Sequence, residues 1–189
     1  MTPERQKLRG MMIASLFAAI IGIFAQITIP LPLVPITGQT LAIGLAATIL
    51  GARYGTLSVL LYILMGAVGI PVFSQFSGGF SVLVGPTGGF IVGFIPTAFF
   101  IGWYLEKTAF KFTQAMIANT IGMFITLLFG TAWLKIAANL SWPAAFASAF
   151  APFIVVGLLK AALASWIGVI VRKRLTIANI LFAPKEKSA

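Results

Sequence analysis

Residues 149–171 form the apolar run that most restricts how this chain can fold. At about 1.5 Å per residue, a helix over this run is long enough to cross the roughly 30 Å hydrocarbon core of a bilayer. Lys160 lies in the middle of the run. A lysine at the centre of a membrane helix costs about 2.5–3.5 kcal/mol, so it usually faces the interior of a helix bundle and has a partner there. The run therefore predicts a membrane helix that carries one functional cation.

The composition indicates that the rest of the chain is a membrane protein as well. Of the 189 residues, 60% are hydrophobic and only 8% are charged, which is too few for the surface of a soluble globule. The acidic residues are Glu4, Glu106 and Glu186, each at a predicted helix end or in a tail, so none is available to neutralise Lys160. We predict an all-α integral membrane protein that forms a single domain over residues 1–189, with long irregular loops on the outer face.

The apolar runs predict six transmembrane helices, at about residues 11–29, 39–50, 54–68, 87–105, 112–134 and 149–171. The second and third runs are short, so they form either a tilted hairpin of two helices or one long helix with Arg53 embedded in it. With six helices nearly all the lysines and arginines outside the membrane fall on one side. By the positive-inside rule, this predicts that both termini are cytoplasmic.

The residue types that are absent exclude most kinds of chemistry. The chain has no Cys and no His, and it has no carboxylate within an apolar run. We therefore expect no general base, no metal site, no proton relay and no cofactor, and the protein is not expected to be an enzyme. The net charge of +10 could suggest nucleic acid as a partner. Because the basic residues flank apolar spans, membrane topology and anionic lipid headgroups explain the charge better, and no nucleic-acid partner is expected.

Two irregular loops are expected on the outer face, over the mouth of a cavity that leads to Lys160. The first, residues 30–38, contains three prolines, which favour an extended and relatively stiff chain. The second, residues 69–85, mixes glycine, serine and phenylalanine without any charge, and it runs into the sequence GPTGG at residues 85–89. The helix that follows offers free backbone N–H groups, which could hold an anion or a carbonyl oxygen. A carboxylate or a strong carbonyl acceptor would satisfy Lys160.

Three further residues allow two interpretations each. Asn119, inside the fifth apolar run, is either a ligand contact or an interhelical hydrogen bond. Ala14 and Ala18 form a small-xxx-small pair, and their spacing alone favours packing against another helix of the same chain.

No Walker motif is present, so the chain has no nucleotide site of its own. Either sodium coupling through backbone carbonyls drives transport, or the protein binds its ligand and another subunit supplies the energy.

Four segments, taken together and in order, resemble the BioY family: VPITGQT at residues 34–40, LGARYG at 50–55, GAVGIPVF at 66–73 and GPTGGF at 85–90. BioY proteins are the biotin-binding S components of energy-coupling factor (ECF) transporters. The resemblance implies a six-helix S-component fold in the cell membrane of a prokaryote. Such a protein takes up biotin from outside, with biotin as the transported substrate. The resemblance also implies a complex with a transmembrane coupling subunit and two cytoplasmic ATPases of the ABC type. Ala14 and Ala18 would then match the alanine motif that docks on the coupling subunit.

The last helix departs from the family pattern. BioY sequences commonly carry Pro-Gly-Asp-x-x-Lys there, with the Asp and the Lys contacting the ligand, whereas this chain has Gly157 at the Asp position and keeps Lys160. Either Asn119 supplies the missing acceptor, or Lys160 is freer to pair with the valerate carboxylate of biotin. The expected ligand contacts are Lys160, Gly157, Asn119, Gln39, Thr37, Phe73, Ser77, Gly85, Thr87, Gly88 and Gly89. A stand-alone sodium-coupled carrier and a structural or assembly subunit are the alternatives.

Overall fold

The computed structural model describes residues 3–181, and these residues are mostly helical. The helices are α1 (Pro3–Ala25), α2 (Gln39–Ala67), α3 (Phe80–Val84), α4 (Gly88–Lys107), α5 (Phe112–Ala137), α6 (Trp142–Ala149) and α7 (Phe153–Ile177), with a 3-10 turn at Ser74–Phe76. Two short strands, β1 (Thr28–Ile29) and β2 (Ile36–Thr37), pair in antiparallel register. Within residues 3–181, five helices are long and apolar enough to cross a membrane: α1, α2, α4, α5 and α7.

Helix α2 reverses its direction at Gly51. This residue has φ 80° and ψ −174°, a conformation that is essentially restricted to glycine. The side chains of Gln39 and Tyr62 hydrogen-bond to each other, although a straight helix would hold them about 35 Å apart at 1.5 Å per residue. A first limb (residues 39–50) and a second limb (residues 52–67) therefore lie side by side. Of the two interpretations of this region, the structure has the hairpin.

Two charged side chains complete the hydrogen bonding at the reversal. Glu106, near the end of α4, accepts a hydrogen bond from the Ala52 backbone N–H at 2.9 Å, at the start of the second limb. Arg172 of α7 donates to the Ile49 carbonyl at the end of the first limb. An anion at a helix N-terminus and a cation at a helix C-terminus both complement the helix dipole. Glu106 therefore caps the second limb of α2. It does so at the end of the bundle that carries Arg53, Lys107, Lys111 and Arg172, which we call the basic end.

The bundle is built around α2, which packs against α1, α4 and α7, while α5 packs against α4 and α7. Ala14 and Ala18 are almost completely buried, on the face of α1 that points into the protein. The expectation that this pair forms an external docking face is therefore wrong. The face of α1 that remains open presents Met12, Ser15 and Ala19 instead. The pair follows the interpretation that its spacing alone favoured, because two small side chains let neighbouring helices approach closely.

The observed helix boundaries differ from the expected ones mainly at the end of the bundle opposite the basic end. The first helix ends at Ala25 rather than residue 29, because Thr28 and Ile29 pair with the residues before α2. The last helix begins at Phe153 rather than residue 149, because a separate short helix, α6, precedes it. The N-cap of α6 is Ser141, whose Oγ accepts from the Ala144 N–H at 3.4 Å. The expected six helices correspond to α1, the two limbs of α2, α4, α5 and α7.

Candidate functional site

A cavity of about 330 Å³ lies at the end of the bundle opposite Gly51, which we call the cavity end. This volume lies at the lower end of the range of about 300–1,000 Å³ for small-molecule sites. Its walls come from the two irregular loops and from α2, α4, α5 and α7. The structure brings six of the expected contacts to this cavity, namely Thr37, Gln39, Phe73, Ser77, Thr87 and Lys160.

Lys160 reaches the cavity from α7 and is held by neutral acceptors. Its Nζ donates to the Thr37 backbone carbonyl at 2.6 Å and lies 3.4 Å from the Thr40 hydroxyl. Of the two acidic residues within 3–181, Glu4 lies in the first turn of α1 and Glu106 caps the second limb of α2. The ammonium therefore has two of its three donors engaged and no carboxylate beside it. A partly buried cation in this state favours a ligand with an anionic or strongly accepting group.

A chain of hydrogen bonds holds the Thr37 carbonyl in position for Lys160. The Thr37 hydroxyl donates to Gln39 Oε1 at 2.8 Å, and the Gln39 amide donates in turn to the buried Tyr62 hydroxyl. Both ends of the Gln39 amide are thus occupied within the protein, although the residue lines the cavity. Gln39 acts here by joining the two limbs of α2 and by fixing the segment that receives Lys160.

A smaller chamber of about 50 Å³ lies beyond Lys160, and both Asn119 and Gly157 line it. The two N–H groups of the Asn119 amide are shared among three acceptors within hydrogen-bond distance: the Ala115 carbonyl of its own helix, the Thr48 hydroxyl at 3.0 Å and the Ser165 hydroxyl at 3.2 Å. These bonds join α5 to α2 and α7, so the structure has the interhelical alternative. Asn119 lies outside the main cavity, because its amide is used to crosslink three helices.

Gly157 faces the side chain of Met123 rather than the main cavity. A Cβ atom at position 157 would collide with the Met123 thioether. The space beside Gly157 is therefore filled by a flexible apolar side chain. No polar group takes the place of the family aspartate at this position among residues 3–181, since Met123 occupies it.

The three glycines of the GPTGG segment do not line the cavity, contrary to expectation. The Gly85 carbonyl accepts from the Trp133 indole N–H at 2.9 Å. Gly88 and Gly89 lie against Leu83 and Trp133, where any side chain would collide with these neighbours. These residues are small because α3 and α5 pack closely on the start of α4. Thr87 is the member of the segment that reaches the cavity.

Several cavity residues were not predicted. Thr40 follows Gln39 in the same segment, and its hydroxyl meets Lys160, so the segment itself was the available signal. The apolar walls include Phe90 and Phe94 of α4, four residues apart and therefore on one face of the helix. Phe153, Leu127 and Ile91 give no signal in the sequence, since they resemble any other apolar residue of a membrane helix.

The fold and the site together define a polytopic helical membrane protein with a cavity for a small ligand at one end of its bundle. A sequence model described as the BioY family matches residues 1–177. The chain therefore belongs to the BioY family.

Named relatives and a solved structure agree with this assignment. The chain is 39% identical to biotin transporter BioY2 of Lactococcus lactis subsp. cremoris over 95% of its own length and 98% of the relative. It is also 39% identical to biotin transporter BioY of Thermotoga maritima, over 88% and 97% of the two chains. A crystal structure described as the S-component for biotin from an ECF-type ABC transporter superposes with a TM-score of 0.82 at 29% identity. That match covers 92% of this chain and 95% of the other.

Proposed function

We propose that this protein binds biotin from the outer side of the membrane and takes it up as the S component of an ECF-type transporter. The observation that carries the proposal is Lys160, which lines a cavity of about 330 Å³ and has no carboxylate partner among residues 3–181. Biotin offers a carboxylate, a ureido carbonyl and an apolar ring system, which suit this cation and the aromatic walls. Membership of the BioY family supports the same ligand, and the relatives are named as transporters rather than enzymes.

Titration of the purified protein in detergent with biotin tests the proposal, with thiamine and riboflavin as controls. Tight binding that is selective for biotin, in the absence of any other subunit, is the expected result. Failure to bind any of the three vitamins would contradict the proposal. The stand-alone sodium-coupled carrier would then be the next hypothesis to examine, by repeating the titration with and without Na⁺.

We further propose six membrane crossings, with both termini and Gly51 on the cytoplasmic side. The two limbs of α2 would cross separately, because the chain reverses at Gly51. Arg53, Lys107, Lys111 and Arg172 gather at the basic end, whereas Lys135 lies at the cavity end. This asymmetry supports a cytoplasmic basic end and a cavity that opens to the outside.

The energy for uptake would come from partner subunits. A transmembrane coupling subunit and two cytoplasmic ABC-type ATPases are proposed on the basis of family membership, since the chain carries no Walker motif. Because Ala14 and Ala18 are buried, any contact of the coupling subunit with α1 would use the open face that contains Ser15 and Ala19. Copurification of a tagged chain with these subunits, and its loss in an Ala19→Leu variant that still binds biotin, would test this contact.

A further inference from the structure

Residues 73–77, which we call the lid loop, form part of the cavity wall and are closed by their own hydrogen bonds. The Phe73 N–H donates to the Ser77 carbonyl at 2.9 Å. The Ser77 N–H and hydroxyl both donate to the Ser74 carbonyl, at 3.3 Å and 2.7 Å. Four residues of this loop line the cavity: Phe73, Ser74, Gln75 and Ser77. The loop is therefore a compact unit that lies directly against the space proposed for the ligand.

The side chain of Gln26, the residue that follows α1, holds the lid loop at two points. Gln26 Nε2 donates to the Phe73 carbonyl at 3.0 Å, and Gln26 Oε1 accepts from the Phe76 N–H at 2.8 Å. The same nitrogen lies 3.4 Å from the Val72 carbonyl and 3.1 Å from the Gly22 carbonyl of α1. The amide of Gln26 thus hydrogen-bonds to one backbone acceptor and one backbone donor of the loop, as the peptide group of a paired strand would.

The conformation of the lid loop indicates that it needs this support. Gln75 and Phe76 have φ values of 59° and 53°, in the left-handed region that L-residues seldom adopt. Such residues persist where the surrounding structure holds them. The Phe76 side chain is 72% exposed, so it provides little packing of its own. Thr28 of β1 adds a further contact with the loop, a hydrogen bond of 3.1 Å between the Thr28 and Ser74 hydroxyls.

From these contacts we propose that Gln26 is a positioning residue that fastens the lid loop over the cavity and thereby sets how long the ligand stays bound. Gln26 does not line the cavity, so it acts through the lid loop. Phe73 is anchored independently, because its ring is buried edge-on against Tyr62 at a centroid distance of 5.5 Å. Release of Gln26 would therefore free residues 74–77 while the start of the loop stays in the core.

This inference rests on the proposed function for its ligand. Two measurements distinguish a failure of the inference from a failure of the proposed function. The variant is Gln26→Met, which keeps the length of the side chain and removes both hydrogen bonds. The matched control is Gln114→Met, another partly buried glutamine, whose Oε1 accepts from the Tyr104 hydroxyl at the basic end. The first readout is hydrogen–deuterium exchange of residues 72–77 without ligand, and the second is the rate at which labelled biotin dissociates.

We expect Gln26→Met to exchange faster over residues 72–77 and to release biotin about tenfold faster, with an association rate that is unchanged or higher. Gln114→Met should match the wild type in both respects. Wild-type exchange and dissociation in Gln26→Met would overturn the inference. If the wild type does not bind biotin, the proposed function fails, while the exchange data still decide whether Gln26 holds the loop.

A second variant covers the case in which Gln26→Met does not fold. Gln26→Glu keeps an acceptor for the Phe76 N–H and loses the donor to the Phe73 carbonyl. It should give faster exchange in the same segment, and combination with Thr28→Val should increase the effect further. Exchange in Gln26→Glu that equals the wild-type value would overturn the proposal on its own.

Discussion

At the scale of single residues, Lys160 has the surroundings of a ligand-binding cation. Its neutral partners, the Thr37 carbonyl and the Thr40 hydroxyl, solvate the ammonium without neutralising it. A buried ion pair would have tied up the charge, whereas this arrangement leaves it available. The position of the residue was predictable from one charge in a long apolar run. Its hydrogen-bond partner, the Thr37 carbonyl, was not predictable, because every residue has a backbone carbonyl and the sequence does not show which one meets Lys160.

We expect Lys160→Met to keep the fold and to weaken biotin binding by about ten- to hundredfold, because a charge-assisted hydrogen bond is worth about 1.5–3 kcal/mol. Isothermal titration of the purified variant measures the effect. The matched control is Lys135→Met, since Lys135 lies over the ring of Trp142 and away from the cavity. Unchanged affinity in Lys160→Met would remove this residue from the site.

The same variant can identify which end of biotin meets the lysine. Replacement of the carboxylate by an amide should weaken binding to the wild type and leave binding to Lys160→Met unchanged if the two groups pair. If the ureido end meets the lysine, the amide should cost the same in both proteins. The difference between the two titrations therefore reports the pairing directly.

At the scale of elements, α2 depends on one glycine. A side chain at Gly51 would both force an unfavourable φ and collide with the Glu106 carboxylate. We expect Gly51→Ala to lower the free energy of unfolding by about 1–3 kcal/mol or more, measured as thermal unfolding in detergent. Gly85→Ala is the control, since it introduces a tight contact of 3.2 Å between the new Cβ and the Ser81 carbonyl oxygen without an unfavourable φ, because the φ of −77° at Gly85 suits alanine. Equal stability of the two variants would contradict the role given to Gly51.

Helix α1 offers a second test of element packing, in two adjacent alanines. Ala18 is buried against the bundle and Ala19 is exposed. We expect Ala18→Leu to destabilise the isolated protein by about 1–3 kcal/mol through overpacking, and Ala19→Leu to leave its stability unchanged. Thermal unfolding of the two variants makes the comparison. If Ala18→Leu unfolds at the same temperature as the wild type, this face of α1 does not pack against the bundle.

At the scale of the whole molecule, six crossings can be distinguished from five because the chain has no cysteine. Single cysteines at the exposed positions Arg53, Thr108 and Ser81 can be labelled with a membrane-impermeant maleimide in right-side-out and inverted vesicles. If the two limbs of α2 cross separately, Arg53→Cys and Thr108→Cys react from the cytoplasmic side and Ser81→Cys reacts from outside. Protection of Arg53→Cys from both sides would indicate a single span over α2.

The sequence by itself determined the class of the protein, its apolar helices and the lysine in the middle of its last helix. These features follow from local patterns, because a bilayer requires long apolar runs and makes a central lysine costly. The four segments shared with the BioY family led to both loops of the cavity, and six of the residues expected from them, from the loop at residues 69–85 and from Lys160 line it.

Only the tertiary structure decided which small and polar residues face the cavity and which hold helices together. Ala14, Ala18, Asn119, Gly88 and Gly89 all proved to serve packing, and Gln26 proved to bind the lid loop. A glycine that allows close helix contact and one that approaches a ligand have the same sequence signature. The direction in which each residue points depends on the reversal at Gly51 and on the neighbours that it brings together, and these contacts are distant in the chain.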